Sequence, residues 1–113
     1  MTADEPVTPT DRRLRERILE LAERTGRYVS ERQVLDADDP RYGMATGGQG
    51  SYELELTEDG SVREVYDAKP IRWVSAEHNI DAFFLFRDLH HLTGEETYAR
   101  AAERVARGLK SLW

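Results

Sequence analysis

Two carboxylates, an imidazole and an amide fall within one short run, Glu77-His78-Asn79-Ile80-Asp81. Glu77 and Asp81 have the i, i+4 spacing that places both carboxyl groups on one side of a helix, about one turn apart. Glycoside hydrolysis uses such a pair: one carboxyl group stays protonated and gives its proton to the leaving oxygen, while the other is ionised and acts as base or nucleophile. Glu77 and Asp81 are therefore the candidate catalytic residues. They also have a structural reading, in which Glu77 favours the positive end of the helix dipole and Asp81 pairs with Arg72 or Arg87. His78 and Asn79 are candidates for ligand binding; in the competing reading they satisfy buried backbone groups, His78 by a hydrogen bond to backbone or to a carboxylate of the long loop.

No metal site is expected. His78 and Asp81 supply only two ligands, the chain has no Cys, and His90 lies roughly 18 Å further along the same helix at ~1.5 Å per residue. Asp36, Asp38 and Asp39 lack the glycine and the distant glutamate of a calcium loop, so they read as a turn. Gly47-Gly48-Gln49-Gly50 has neither the Lys-Ser/Thr pair nor the following helix of a phosphate loop. Those glycines are expected to let the backbone pass close to Trp73 or to the helix start, and no cofactor is expected. Trp73, Tyr42 and Tyr52 offer ring faces on which a sugar could stack, or core lining.

These groups must be positioned by few elements. Thr8-Pro9-Thr10-Asp11 has the form of a helix start, and Leu14, Ile18, Leu21, Ala22, Thr25 and Val29 continue at helical spacing to about Gln33. The Asp-, Pro- and Gly-rich stretch from Leu35 to Gly50 predicts a long loop. Alternation over 51–57, turn residues at 58–61 and an apolar return predict a β-hairpin over about 51–67. Ser75 can cap a helix from Ala76 to about Leu92, and Thr93-Gly94 ends it before a last helix from Glu95 to Trp113. So short a turn makes the last two helices an antiparallel αα-hairpin. The fold class is mainly α, with three helices, an inserted β-hairpin, one domain over 8–113 and a disordered tail over 1–7.

The helix after Ser75 is apolar nearly all round: Ile80, Phe83, Phe84, Leu85, Phe86, Leu89 and Leu92 cover far more than half its circumference. Such a helix is expected to be buried nearly all round. Two single-stripe neighbours cannot do this, so the hairpin or another copy of the chain must finish the covering, and the chain is expected to be a homo-oligomer or part of a larger assembly.

The succession of Arg32-Gln33, DDPRYG, GGQGSYE, WVSAEHNIDAFFLFRDL and LTGEETYARAAERVARGLKSLW resembles one section of bacterial (α/α)-toroid proteins of the six-hairpin glycosidase-like type, over roughly residues 10–113. The resemblance implies a partial toroid-like layer in which the start of the inner helix and the loop before it face a sugar-binding cleft. Glu77, His78 and Asp81 would then sit on the rim, with Tyr42 and the Gly47-Gly48 loop nearby. A complete toroid has many more helices than the three expected here.

Composition narrows the remaining classes. The chain has 113 residues and a net charge of −6, with both signs spread along it. No concentrated basic face is present for a nucleic-acid backbone, and no apolar run approaches a membrane span. No signal peptide is visible and Cys is absent, which fits a cytoplasmic location. Two functions follow as expectations. One is a carbohydrate-related module, glycoside hydrolase-like if enzymatic, that binds a glycan or other polar small molecule at the EHNID rim. The other is a non-catalytic structural or protein-interaction domain.

Overall fold

A computed structural model of the chain describes residues 5–112. The order of elements is α1 (Pro9–Glu31), β1 (Thr46–Leu56), β2 (Val62–Val74), α2 (Ala76–Thr93) and α3 (Glu96–Lys110). The fold is thus mainly α with an inserted antiparallel hairpin. Much of the tail expected over 1–7 lies outside the described residues, as does Trp113.

The helix ends follow from local chemistry. Thr8 Oγ1 accepts the Asp11 N–H at 3.1 Å and Pro9 occupies the first turn of α1. Ser75 Oγ accepts the His78 N–H at 3.4 Å, and at the far end of α2 the Gly94 N–H donates to the His90 carbonyl at 2.8 Å. The chain then reverses into α3, and the two helices share the core. Phe86 and Leu89 of α2 meet Tyr98, Ala101 and Val105 of α3, all buried, with Leu19, Ala22 and Val29 of α1 packed against them. Gly26 makes the approach of α1 possible: a Cβ there would lie 2.5 Å from Leu89 Cδ1 and 3.4 Å from Tyr98 Cε1. The close packing offsets the ~1 kcal/mol that glycine costs a helix relative to alanine. Burial pushes the Tyr98 phenol above its ordinary pKa, and its hydroxyl donates to Glu23 at 3.4 Å.

Three expectations are corrected. The loop expected up to Gly50 ends earlier, because β1 begins at Thr46, and β2 runs on to Val74. The glycines cause both the misreading and the structure. They weaken the local strand signal, but Gly48 (φ 103°) and Gly50 (φ 86°) accept positive φ where the register shifts between Thr46 and Gly48 and between Gln49 and Ser51. Second, α2 is not buried all round: Phe86 is 0% exposed, but Ile80 is 45% and Phe84 44%. Phe84 lies under the Arg87 guanidinium, 4.7 Å from ring centroid to Cζ, instead of under another helix. Third, the hairpin does not complete the covering. Its pairs Tyr52–Tyr66, Leu54–Glu64 and Leu56–Val62 set Tyr52, Leu54, Leu56, Val62 and Tyr66 on one face, and all five are 57–77% exposed.

The molecule is elongated, measuring 67 × 37 × 21 Å with a radius of gyration of 19.1 Å, where a compact chain of this length would have ~13 Å. Among the described residues no helix is long and apolar enough to cross a membrane. At the hairpin turn, Asp59 accepts from the Ser61 hydroxyl at 2.6 Å, the Ser61 N–H at 2.9 Å and the Thr57 hydroxyl, which together lower its pKa to about 2.

Phe86→Ala is expected to destabilise the fold by ~3–5 kcal/mol, and Phe84→Ala by less than half as much because its ring is already partly in water. Urea denaturation of both variants measures this, and equal midpoints would refute the assignment of the two helix faces.

Candidate functional site

The site begins with a backbone clasp between the end of α1 and the start of β1. Val34 N–H donates to Met44 O at 2.9 Å, Gly43 N–H to Val34 O at 2.8 Å, and Thr46 N–H to Arg32 O at 3.1 Å, so residues 32–34 pair antiparallel with 43–46. Two buried amides hold this clasp from opposite sides. Gln33 Nε2 donates to the carbonyls of Gly43 (2.9 Å) and Ala101 (3.0 Å). Asn79 Oδ1 accepts the Ala45 N–H at 2.7 Å, and its Nδ2 donates to Ala45 O at 3.0 Å and Ser75 O at 2.9 Å. Met44, between them, is buried.

The outer part of the loop carries a second tie. Arg41 donates to Asp39 through Nε (2.9 Å), Nη2 (2.6 Å) and the backbone N–H (2.8 Å), and its Nη1 reaches the Arg72 carbonyl at 2.6 Å. The hydrogen bonds from Arg41 hold the Asp39 carboxyl at about 2, well below its ordinary value. The end of β2, where Trp73 sits, is thereby tied to the loop.

A cleft of about 390 Å³ opens between the last turn of α1, the start of β1, the end of β2 and the first turns of α2. Gly47, Gly48, Trp73, His78, Asn79 and Asp81 all line it. Gly47 passes against the indole as expected, since a Cβ there would lie 2.6 Å from Ile71 Cγ2 and 3.1 Å from the Trp73 ring. Trp73 and His78 have ring centroids 6.3 Å apart. The opposite wall comes from α1: the Arg32 guanidinium stacks 4.2 Å from the Tyr28 ring centroid, and both side chains line the cleft.

Three candidate site residues are not brought to this cleft: Glu77, Tyr42 and Tyr52, the last of which stands on the exposed hairpin face. Glu77 does not line it, and helix geometry supplies the reason. At ~100° per residue the cleft-lining residues of α2, running Asp81, Leu85, His78, Ala82 and Asn79 around the helix, span about 160°, and Glu77 lies about 40° beyond Asp81, outside that arc. Asn79 sets this rotation by turning inward to Ala45. Tyr42 lies elsewhere, in a depression beside Arg100, Glu103, Arg104 and Arg107 of α3, because the clasp turns the chain at Gly43. Among the described residues the expected pairing of Asp81 with Arg72 or Arg87 does not form; Arg87 binds Asp88 at 3.1 Å instead.

The sequence reading missed Tyr28 and Arg32. Their signal is an aromatic and a cation at i, i+4 spacing in the last turns of α1, just before the loop that carries the glycines. The structural role of Gln33 left no local signal, because its partners are backbone carbonyls of distant segments. No family model, curated protein or solved structure matches the chain.

Asn79→Ala is expected to cost ~1–3 kcal/mol, the price of leaving the partly buried Ala45 backbone groups unpaired, whereas Glu77→Ala changes stability little; thermal denaturation of the two variants checks the contrast. A second expectation concerns pH. Asp39 has a folded pKa of about 2 against ~3.9 when unfolded, so its contribution is present above pH ~4 and is lost as pH falls towards 2. Asp59 titrates in the same window. Asp39→Asn should therefore flatten part of the acid limb of a stability–pH curve, and Asp39→Asn with Asp59→Asn more of it. An acid limb unchanged in the double variant would refute both assignments.

Proposed function

We propose that the chain is a carbohydrate-related binding module of the six-hairpin glycosidase-like kind, holding a polar, sugar-like ligand in the cleft between α1 and α2. The observation that carries this reading is the convergence of Trp73, His78 and Asp81 with Tyr28 and Arg32 on one concavity of about 390 Å³. Small-molecule sites span ~300–1,000 Å³ and combine aromatic walls with a few directed polar groups. A pyranose offers an apolar ring face for the indole and equatorial hydroxyls for an imidazole, a carboxylate and a guanidinium.

Binding is favoured over hydrolysis because cleavage of a glycosidic bond takes two carboxyl groups on opposite sides of it. Asp81 is the only carboxylate lining the cleft among the described residues. A second reading, a protein-interaction module, is favoured by a different observation: the apolar face of the β-hairpin stands uncovered.

Titration calorimetry against a panel of neutral and acidic oligosaccharides tests the first reading. Trp73→Ala is expected to weaken binding at least tenfold, about 1.4 kcal/mol, with the circular-dichroism spectrum unchanged; Asp81→Asn is expected to weaken it less, and Glu77→Gln not at all. No saccharide bound at millimolar concentration, or equal affinity in the Trp73 variant, would overturn it.

A further inference from the structure

The hairpin has one apolar and one polar face. Tyr52, Leu54, Leu56, Val62 and Tyr66 share the first with Glu64, while Glu53, Glu55 and Arg63 lie on the second, where Arg63 pairs with Glu55 at 3.0 Å. A two-stranded hairpin alone is marginally stable in water, and an uncovered apolar face of this size marks an interaction site. Of the six carboxylates between residues 51 and 67, Glu64 alone is set within the apolar face, opposite Leu54.

A complementary surface lies on the same chain. Leu14, Ile18 and Leu21 form an outward stripe on α1 that is 58–64% exposed, distinct from the side on which Ala22 and Gly26 meet the core. Arg17, Glu20 and Arg24 share a shallow depression with Ile18 and Leu21, and among the described residues neither arginine is in a salt bridge. The stripe spans ~10 Å along the axis at ~1.5 Å per residue, and Tyr52 to Leu56 spans ~14 Å at ~3.4 Å per residue, so the two surfaces are of similar length, and the one acid of the hairpin face, Glu64, has two arginines without a salt bridge to meet, Arg17 and Arg24. Pairing α1 with the hairpin opposes arginine to glutamate.

We propose that two copies of this chain associate reciprocally, the apolar hairpin face of each lying across the Leu14–Leu21 stripe of α1 in the other. Each protomer supplies both surfaces, so a two-fold axis closes the assembly with two identical contacts. Glu64, the acid within the apolar face, meets Arg17 or Arg24 of the other copy. The proposal rests on the protein-interaction reading and is independent of the cleft.

Sedimentation equilibrium of the full chain, with Leu54→Lys on the hairpin and Ile18→Glu on α1, tests it, circular dichroism confirming that each variant folds. The native chain is expected to be a dimer at micromolar concentration, weakened by salt, and each variant alone to dimerise at least tenfold more weakly. An equimolar mixture of the two variants retains one intact contact, native hairpin on native α1, and is expected to dimerise more tightly than either variant alone. A native monomer, a dimer indifferent to either substitution, or a mixture no tighter than its components would overturn the proposal. Binding of an apolar fluorescent dye separates the two levels: a native monomer that binds dye at Leu54 keeps the interaction reading with another occupant, and one that binds none overturns both.

Discussion

The rest of the molecule depends on the way two side-chain amides grip one short piece of backbone. Residues 43–45 are held by Gln33 from one side and Asn79 from the other, with Met44 sunk between them. An amide suits the task because it offers donors and an acceptor in one plane, and Asn79 presents both to Ala45 much as a neighbouring strand would. The grip fixes where α1 ends relative to α2 and where β1 starts. Gly108 lets it form: a Cβ there would come within 2.6 Å of the Tyr42 carbonyl. A clasp without a Cys or a metal ligand thus does what a cross-link does in other small domains, at the cost of placing two polar side chains in the interior, where each must be satisfied.

The polar start of α2 becomes intelligible from this grip. Over one and a half turns the helix sends Asn79 inward to the clasp, His78 and Asp81 to the cleft and Glu77 to water. The i, i+4 rule correctly puts Glu77 and Asp81 on one side of the helix, but it says nothing about which way that side faces. The rotation is set by the inward residue, and from the sequence Asn79 is a ligand candidate whose structural role belongs to the competing reading. A site read from spacing alone therefore loses a member wherever the cleft takes in only part of the side that the spacing defines.

Caps and apolar stripes, by contrast, were legible because both ends of each interaction lie within a few residues. Thr8 and Ser75 cap their helices, Gly94 closes α2, and α2 and α3 pair as so short a turn requires. The hairpin was legible over its alternating half and obscure over 46–50, where glycine suppresses the strand signal and enables the bulges. The burial of α2 was misjudged for a related reason: an apolar circumference shows what a helix can bury, and the number of neighbours decides what it does bury. Phe84 keeps its edge in water under Arg87, and Phe86 takes the position against α3.

The cleft inherits its stiffness unequally. Its α2 wall stands on the Asn79 clamp, and its α1 wall is anchored by Gly26 against Leu89 and Tyr98. The Trp73 wall is different, because it lies at the end of a long ribbon with one face in solvent, tied to the body by the Arg41–Arg72 contact and by the register near Thr46. Strand β2 carries Val62 and Tyr66 of the apolar hairpin face at one end and Trp73 of the cleft at the other. The uncovered hairpin face and the cleft, separate as surfaces, are thus built in part from one strand.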